Sequence, residues 1–553
     1  MDYIQIIVII VLIIVVSQIV SNINANKRLK ARLINSFGKI PDERRHDFNS
    51  IETYYAHKKA YGEDSDTVDN ITWNDLDMNL IFKRINSCHT SVGEEYLYDT
   101  LRNIQADDSI LLKREKLISY LEAHPGERLR LQMSLSKAGR YNYNGIVPLI
   151  FDSESKALKY SFLYKILSLL PIIGIIALFR DIQVGTSMLI FSIIINVFTY
   201  YKTKGDISVE LSAIKYFSSL LACLNDIFKK KSYDSIPFFD ELEENYNVFK
   251  KLRTKLSGLI YKDNSDMGII AEYINIVFLV DIRNYNKIVK TIIGNTEEFH
   301  ALYKSLGEID MATCVLSFRK SLPISCSPGF NHENSIDYKE MYHPLLTNPV
   351  PNSGVISNDS IVTGSNASGK STFIKGLAVN GILAQTIHTC AAAEFKIRPS
   401  VIITSMAIRD NISEGDSYFI KEIESLKRIL DKVEETTCMC FIDEILRGTN
   451  TIERIAASSA VLKYLHDKDC ICITASHDIE LTQILDKKYN NYHFREEITD
   501  DGITFDYELK DGPSKTRNAI KLLEYMEFDD ALVEEAQILA NDFSINKAWP
   551  VIS

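Results

Sequence analysis

Apolar positions fall into three patterns along the chain, and each predicts a different kind of element. Residues 3–20 are apolar apart from Gln5, Ser17 and Gln18, and residues 161–179 and 182–200 form two further runs parted by Arg180-Asp181. Runs of this length with so little charge predict bilayer-crossing helices, the second and third forming a tight hairpin. Over residues 72–145 and 205–306, Leu, Ile, Met and Tyr are spaced as on amphipathic helices; Leu76, Leu80, Phe82 and Ile85 are expected on one face. Residues 268–280 are apolar but interrupted by Glu272, too short to span, and expected as a core helix. Short apolar runs ending at Thr363, Ile442 and Thr474 predict strands buried on both faces, as in a parallel sheet.

Charge gives the long runs a direction. Asp2 precedes the first, and Lys27, Arg28, Lys30 and Arg32 follow it; Lys156 and Lys159 precede the hairpin, and Lys202 and Lys204 follow. Positive flanks mark the cytosolic side, so all three runs predict one topology: N-terminus out, hairpin ends and C-terminal half inside. Lys165, near the start of its run, would snorkel to the interface. The expectation is a multi-pass cell-membrane protein, with the lipid bilayer as a partner and its C-terminal domain cytoplasmic.

At 553 residues several domains are expected, and 46% apolar with 24% charged residues is a globular composition. A net charge of −11 argues against a dedicated nucleic-acid binder, which usually carries a basic excess. Cys438/Cys440 and Cys470/Cys472 sit inside apolar runs and read as small buried hydrophobes in a reducing cytosol.

Candidate chemistry concentrates after residue 360. Gly364-Ser365-Asn366-Ala367-Ser368-Gly369-Lys370-Ser371-Thr372 fits the phosphate-loop pattern G-x-x-x-x-G-K-[ST] between a strand and a helix. Its backbone N–H groups would cradle the phosphates of ATP, Lys370 would reach the β- and γ-phosphates, and the Ser371 hydroxyl would ligate Mg²⁺. Asp443 and Glu444 end a buried strand, where α/β sheets bind ligands. Asp443 would hold Mg²⁺ and Glu444 would act as general base toward water. His477 lies just past the next strand, placed to touch the γ-phosphate or the attacking water. Ser413, Gly415 and Ser417 precede a periodic helix over 419–433; they read either as an ordinary N-cap or as a phosphate contact made on a second subunit's ATP.

Taken together these motifs resemble the MutS mismatch-repair ATPase family. Its phosphate loop is similar to residues 364–372, its Asp-Glu and Arg-Gly-Thr motif to Asp443-Glu444-Ile445-Leu446-Arg447-Gly448-Thr449, and its switch segment to Ser476-His477-Asp478. Its serine-glycine loop resembles residues 413–423, its His-Pro entry resembles Tyr342-His343-Pro344, and its closing segment resembles residues 507–543. Weaker similarity covers Thr90-Ser91-Val92-Gly93 and Ile309-Asp310. The resemblance implies a homodimer that hydrolyses ATP at composite sites, and it gives functional positions to Asn366, Lys370, Ser371, Asp443, Glu444 and His477. Three features depart from it. Leu446 stands where the family commonly has Gly. Val350-Pro351-Asn352 offers no aromatic for the adenine. A membrane anchor and linker occupy the place of the N-terminal mismatch-reading domain.

The expected fold is a C-terminal α/β P-loop NTPase domain, of the ABC-type or MutS-like ATPase class, after a mainly α-helical, MutS-core-like region with transmembrane helices. Its expected parts are an anchor (1–26), a juxtamembrane linker (27–70), a helical segment (71–160), a transmembrane hairpin (161–200) and a second helical segment (201–321). The ATPase domain with dimerisation helices (322–543) and a tail (544–553) follow. Two functions compete: a clamp driven by ATP that closes on mismatched or branched DNA, and an ATP-driven membrane machine with no nucleic-acid partner. A transporter of the ABC type is disfavoured, because the chain has no L-S-G-G-Q loop.

Overall fold

A computed structural model describes residues 3–62, 68–104, 108–143, 145–230, 233, 235–253, 266–365, 368–406, 418–499, 502–514, 519–546 and 548–551. The chain divides into two units. One comprises Met1–Ser65, Phe82–Asn103 and Asp107–Ser321; the other comprises Asp66–Ile81, Ile104–Ala106 and Leu322–Ser553.

The first unit is helical and built on Thr296–Ser321, whose side chains are buried almost continuously from Phe299 to Phe318. Packed beside it are Ser91–Arg102, Asp108–Ala123 and Phe239–Phe249. So long a buried helix must satisfy its own charges. Glu308 accepts from Arg114 (2.6 Å) and from the Tyr96 hydroxyl (2.7 Å). Asp310 accepts from the Thr90 backbone N–H (2.8 Å) and hydroxyl (2.7 Å), and the Thr90 hydroxyl in turn caps Ser91–Arg102 by accepting from Gly93 N–H. A Cβ on Gly93 would fall 2.3 Å from Asp310 Oδ2, so only glycine permits this approach.

Two segments of this unit, Glu154–Leu178 and Ile182–Asp206, are long and apolar enough to cross a membrane, and only 17% of each apolar window is buried. Asp181 opens the second by accepting from the N–H groups of Gln183 (2.9 Å) and Val184 (3.1 Å). Phe162, Ile173, Phe191 and Phe198 are exposed along the pair. Residues 3–20 lie within the 34-residue helix Tyr3–Ser36, which runs on through the basic cluster.

Two local expectations are corrected. Leu76, Phe82 and Ile85 are buried, but Leu80 is 48% exposed: Asp77 takes φ 51, and a new helix, Met78–Ile85, starts in a different phase. Residues 268–280 are not one core helix either. Asp266–Phe278 ends at Leu279 (φ 51), Val280–Ile293 begins there, and Tyr273 and Ile274 are exposed.

The second unit is α/β. Its six-stranded sheet runs, edge to edge, Lys510–Asp511, Asn490–His493, Ser360–Thr363, Cys470–Ala475, Cys438–Asp443 and Val401–Ser405. All pairings are parallel except that of Lys510–Asp511. The three expected apolar runs form strands of this sheet, and Val401–Ser405, buried at every position, adds a fourth at its edge. The cysteines of neighbouring strands stand in register, Cys438 opposite Cys470 and Cys440 opposite Cys472, within the apolar core. No cluster of His, Cys, Asp or Glu able to hold a metal occurs among the described residues. A smaller sheet (Gly329–Phe330, Glu394–Ile397, Ile336–Met341, Asn352–Ile356) lies in the same unit. The segment Asp66–Ile81 is tied to the Val401–Ser405 edge: Asp75 accepts from the Thr404 hydroxyl (2.7 Å) and Met406 N–H (3.0 Å), and Asp69 pairs with Arg428.

Candidate functional site

Sheet register places the chemistry. Val362, Ala475 and Asp443 are aligned across three neighbouring parallel strands, so the chain turns that follow them share one edge. Ser476 N–H donates to Val362 O (3.1 Å) and Glu444 N–H to Ala475 O (3.0 Å), which extends this alignment past the strand ends.

From Thr363 the chain passes into Gly364, at φ 139, where a Cβ would strike Phe494 O at 2.6 Å. Ser368 closes the loop by donating its hydroxyl to Ser365 O (2.8 Å), and Ser365 donates to Glu496. Helix Lys370–Ile387 starts directly after Gly369 (φ 102). Lys370 folds back so that its Nζ donates to the carbonyls of Gly364 (2.5 Å) and Ser365 (2.7 Å). Burial pushes its ammonium down to about 8, against the pull of Asp443, Glu444 and Glu496. It is a cation held in a loop of backbone dipoles, poised for a stronger anionic partner.

The carboxylates differ in state. Burial pushes Asp443 up; its bond to the Ser371 hydroxyl opposes this. Asp443 Oδ1 is buried with no hydrogen-bond partner among the described residues. A buried carboxylate oxygen left open beside a hydroxyl is a donor set for a hard cation such as Mg²⁺, which takes one or two protein oxygens and completes its shell with water and phosphate. Glu444 is held below the usual carboxylate range, first by its hydrogen bond with His477. His477 Nε2 and an Arg447 guanidinium nitrogen each lie 2.8 Å from one of its oxygens. Glu444 and Leu446 both take left-handed backbone angles, φ 56 and 55, strained for residues with side chains.

A cavity of about 480 Å³ opens beside Gly369, Ser371 and Thr372. Its walls include His343, Val350, Asn352, Phe494 and Tyr507. Asn352 fixes the Tyr507 segment, donating to Tyr507 O (2.9 Å) and accepting from Leu509 N–H (2.7 Å). The Tyr507 ring lies so close over Gly369 that a Cβ there would meet it at 3.1 Å. Burial pushes the His343 imidazole down to about 4, so it is neutral near pH 7. A cavity that pairs apolar walls such as Val350 and Phe494 with fixed polar groups suits a flat aromatic ring.

The structure thus gathers Gly364, Ser365, Ser368, Gly369, Lys370, Ser371, Asp443, Glu444 and His477 at one sheet edge, with Thr372 on the cavity wall. Asn366 and Ala367, and Ser413, Gly415 and Ser417, lie outside the described residues. Sequence reasoning missed Tyr507 and Glu496 as parts of this site and named the segment of Asn352 only for the aromatic it lacks. Their places depend on contacts across more than a hundred residues, and only the bare aromatic and amide were there to be noticed.

Residues 360–544 match the family described as MutS domain V. The chain is 26% identical over 283 residues to the DNA mismatch repair protein MutS of Natronomonas pharaonis, covering 49% of this chain and 33% of that protein. It is 30% identical over 261 residues to the human MutS protein homolog 4, covering 44% of this chain and 28% of that protein. It is also 29% identical over 203 residues to the DNA mismatch repair protein MutS of Thermus thermophilus, covering 36% and 25%. The chain thus spans a third or less of the length of these relatives. The likeness to the MutS family thus rests on the C-terminal part of the chain, where residues 360–544 match MutS domain V.

Proposed function

We propose that this chain is a membrane-anchored ATPase with a P-loop NTPase fold in its C-terminal unit, working as a homodimer whose nucleotide sites are shared between subunits. The observation that carries the reading is the convergence at one sheet edge of a buried lysine, an open Asp443 oxygen beside Ser371, and an ionised Glu444. Ser371 and Asp443 would hold Mg²⁺. The bound ion supplies positive charge to the phosphate oxygens. Lys370 exchanges its two carbonyl partners for phosphate oxygens, which are stronger acceptors. Glu444 accepts the proton of the attacking water while His477 keeps its carboxylate aimed, and the Tyr507 side of the cavity receives the adenine. The serine-glycine segment at 413–417 completes the site of the second subunit.

The hairpin holds the chain in the cell membrane with the ATPase unit in the cytoplasm, and nucleotide-driven closure of the dimer moves the helical unit as a clamp. DNA, mismatched or branched, is one candidate for what the clamp encloses, in line with the names of the relatives. A machine with no nucleic-acid partner is the second reading, and the net charge of −11 together with the two exposed apolar helices favours it. The deciding experiment is phosphate release by the full-length protein in detergent with Mg²⁺ and ATP, with and without DNA at low salt. Hydrolysis lost in Lys370→Ala supports the ATPase reading, and equal hydrolysis in that variant ends it. Stimulation by DNA selects the first reading; its absence where phosphate contacts are strongest selects the second.

A further inference from the structure

Leu279 breaks the path between helices Asp266–Phe278 and Val280–Ile293 with φ 51, and it is fully buried. A helix end leaves carbonyls without donors. One is met by Asn196, a fully buried residue of helix Ile182–Asp206, whose Nδ2 donates to Val277 O (2.7 Å) and Leu167 O (2.9 Å). Around the break, Ile276, Leu279 and Ile282 pack with Tyr200, Leu167 and Val197. The helix that follows is tied along Ser161–Leu178: Arg283 donates to the Ser168 hydroxyl (3.0 Å) and Lys290 to that of Ser161 (3.2 Å). The break therefore lies against the hairpin about six residues in from Ser161, roughly 9 Å along the helix.

Glu272 and Asp281 bracket the break. Between them, residues 273–280 are apolar save for the Tyr273 hydroxyl and the amide of Asn275. Tyr273 and Ile274 are 66% and 49% exposed, and the hairpin beside them exposes Ile166, Leu169 and Phe198.

We propose that residues 273–280 are a membrane-dipping tip. It enters the leaflet on the side of the hairpin's two ends and sets Tyr273 and Ile274 against phospholipid acyl chains. The proposal rests on the reading of the hairpin as membrane-spanning. The tip is far shorter than the roughly 20 residues a helical span needs, and its flanking carboxylates resist deeper entry. Irregular backbone survives at membrane depth only where protein supplies the missing hydrogen bonds, and Asn196 does so here. In water the Val277 carbonyl would find a donor in solvent, yet the fold buries an amide to serve it and leaves Asn196 Oδ1 without a partner among the described residues. Lys287 and Lys290 follow the tip, Lys290 beside Ser161 at the hairpin's start, and match anionic headgroups in charge.

The test uses full-length protein carrying Cys326→Ser, since Cys326 is the half-buried cysteine and the other eight are buried. A single environment-sensitive fluorophore is attached through Ile274→Cys or, as a hairpin control, Ile173→Cys. The protein is placed in phosphatidylcholine–phosphatidylglycerol vesicles containing lipids with a nitroxide near the headgroup or near the chain end. The expected result is about twofold or greater quenching of the position-274 probe by the shallow nitroxide, little quenching by aqueous iodide, and deep-nitroxide quenching at position 173. Quenching at 274 by iodide alone, with 173 still reached by the deep nitroxide, overturns the tip and leaves the hairpin standing. Shielding at 274 from both iodide and lipid nitroxides assigns the surface to a protein partner and overturns the lipid assignment. Iodide quenching at 173 removes the spanning hairpin, and the tip with it.

Discussion

The Glu444 carboxylate is gripped on one oxygen by His477 and on the other by Arg447, and it sits on a strained turn immediately after Asp443. Held below the usual carboxylate range and next to Asp443 in the chain, it is the proton acceptor in the proposed reaction. Glu444→Gln should therefore bind Mg-ATP with little change and release phosphate about 10²–10⁴-fold more slowly; wild-type turnover in that variant would remove Glu444 as the base. In the proposed site Tyr507 serves binding rather than chemistry. Tyr507→Ala should raise KM for ATP about tenfold, in keeping with about 1–3 kcal/mol for stacking on a base, with kcat nearly unchanged. Tyr507→Phe should restore it, and steady-state kinetics of the pair would separate ring from hydroxyl. The two residues also show what a sequence can reveal. Glu444 was legible because its partners in meaning, the phosphate loop and the strand before it, are local patterns. Tyr507 was not, because the residue that fixes it, Asn352, lies 155 positions away.

At the scale of elements, the strands were read well and the helices less so. A continuous apolar run such as Cys438–Asp443 has few structural options, and its burial on both faces follows from composition alone. Helical periodicity instead fixes a face only while the helix stays unbroken. Asp77 and Leu279 break it with left-handed backbone angles, which aspartate adopts more often than most residues but for which leucine gives no warning in sequence. The docking of Asp66–Ile81 on the Val401–Ser405 edge was equally hidden, since Thr72 and Asp75 meet Thr404 across more than three hundred residues. Close helix contacts carry a testable cost. Gly93→Ala would push a methyl into the Asp310 carboxylate that holds Thr90, the cap of its own helix. We expect a loss of about 1–3 kcal/mol in the helical unit, read as a lower unfolding temperature by circular dichroism in detergent, with ATP binding at the other unit retained. An unchanged transition would mean that Asp310 and the Thr90 cap are not held as tightly as their hydrogen bonds indicate.

At the scale of the whole molecule, both units should answer to pH, the α/β one through His343, and only the α/β one to nucleotide. His46 and His300, both in the helical unit, are each pushed down from 6.5 to about 4, chiefly by burial. Their lowered values mean that protons bind the unfolded chain more readily than the native one. Stability from this source is complete above pH 6.5, declines as pH falls toward 4, and falls no further below that. Urea unfolding of the helical unit across this range should show the decline, and His300→Gln should flatten part of it. The proposed sharing of nucleotide sites between subunits makes a sharper demand. A chain with Lys370→Ala lacks its phosphate contact, and a chain with Ser413→Ala and Ser417→Ala lacks the contact it offers its partner. Each alone should be inactive. In a mixed dimer, one site combines both defects, while the other combines an intact lysine with intact serines. Mixing equal amounts should therefore restore up to about a quarter of wild-type hydrolysis, because half the dimers are mixed and each has one sound site of two. If the serines served their own subunit, every site would carry a defect and mixing would restore nothing, so the recovered rate reads out directly whether the two copies build each site together.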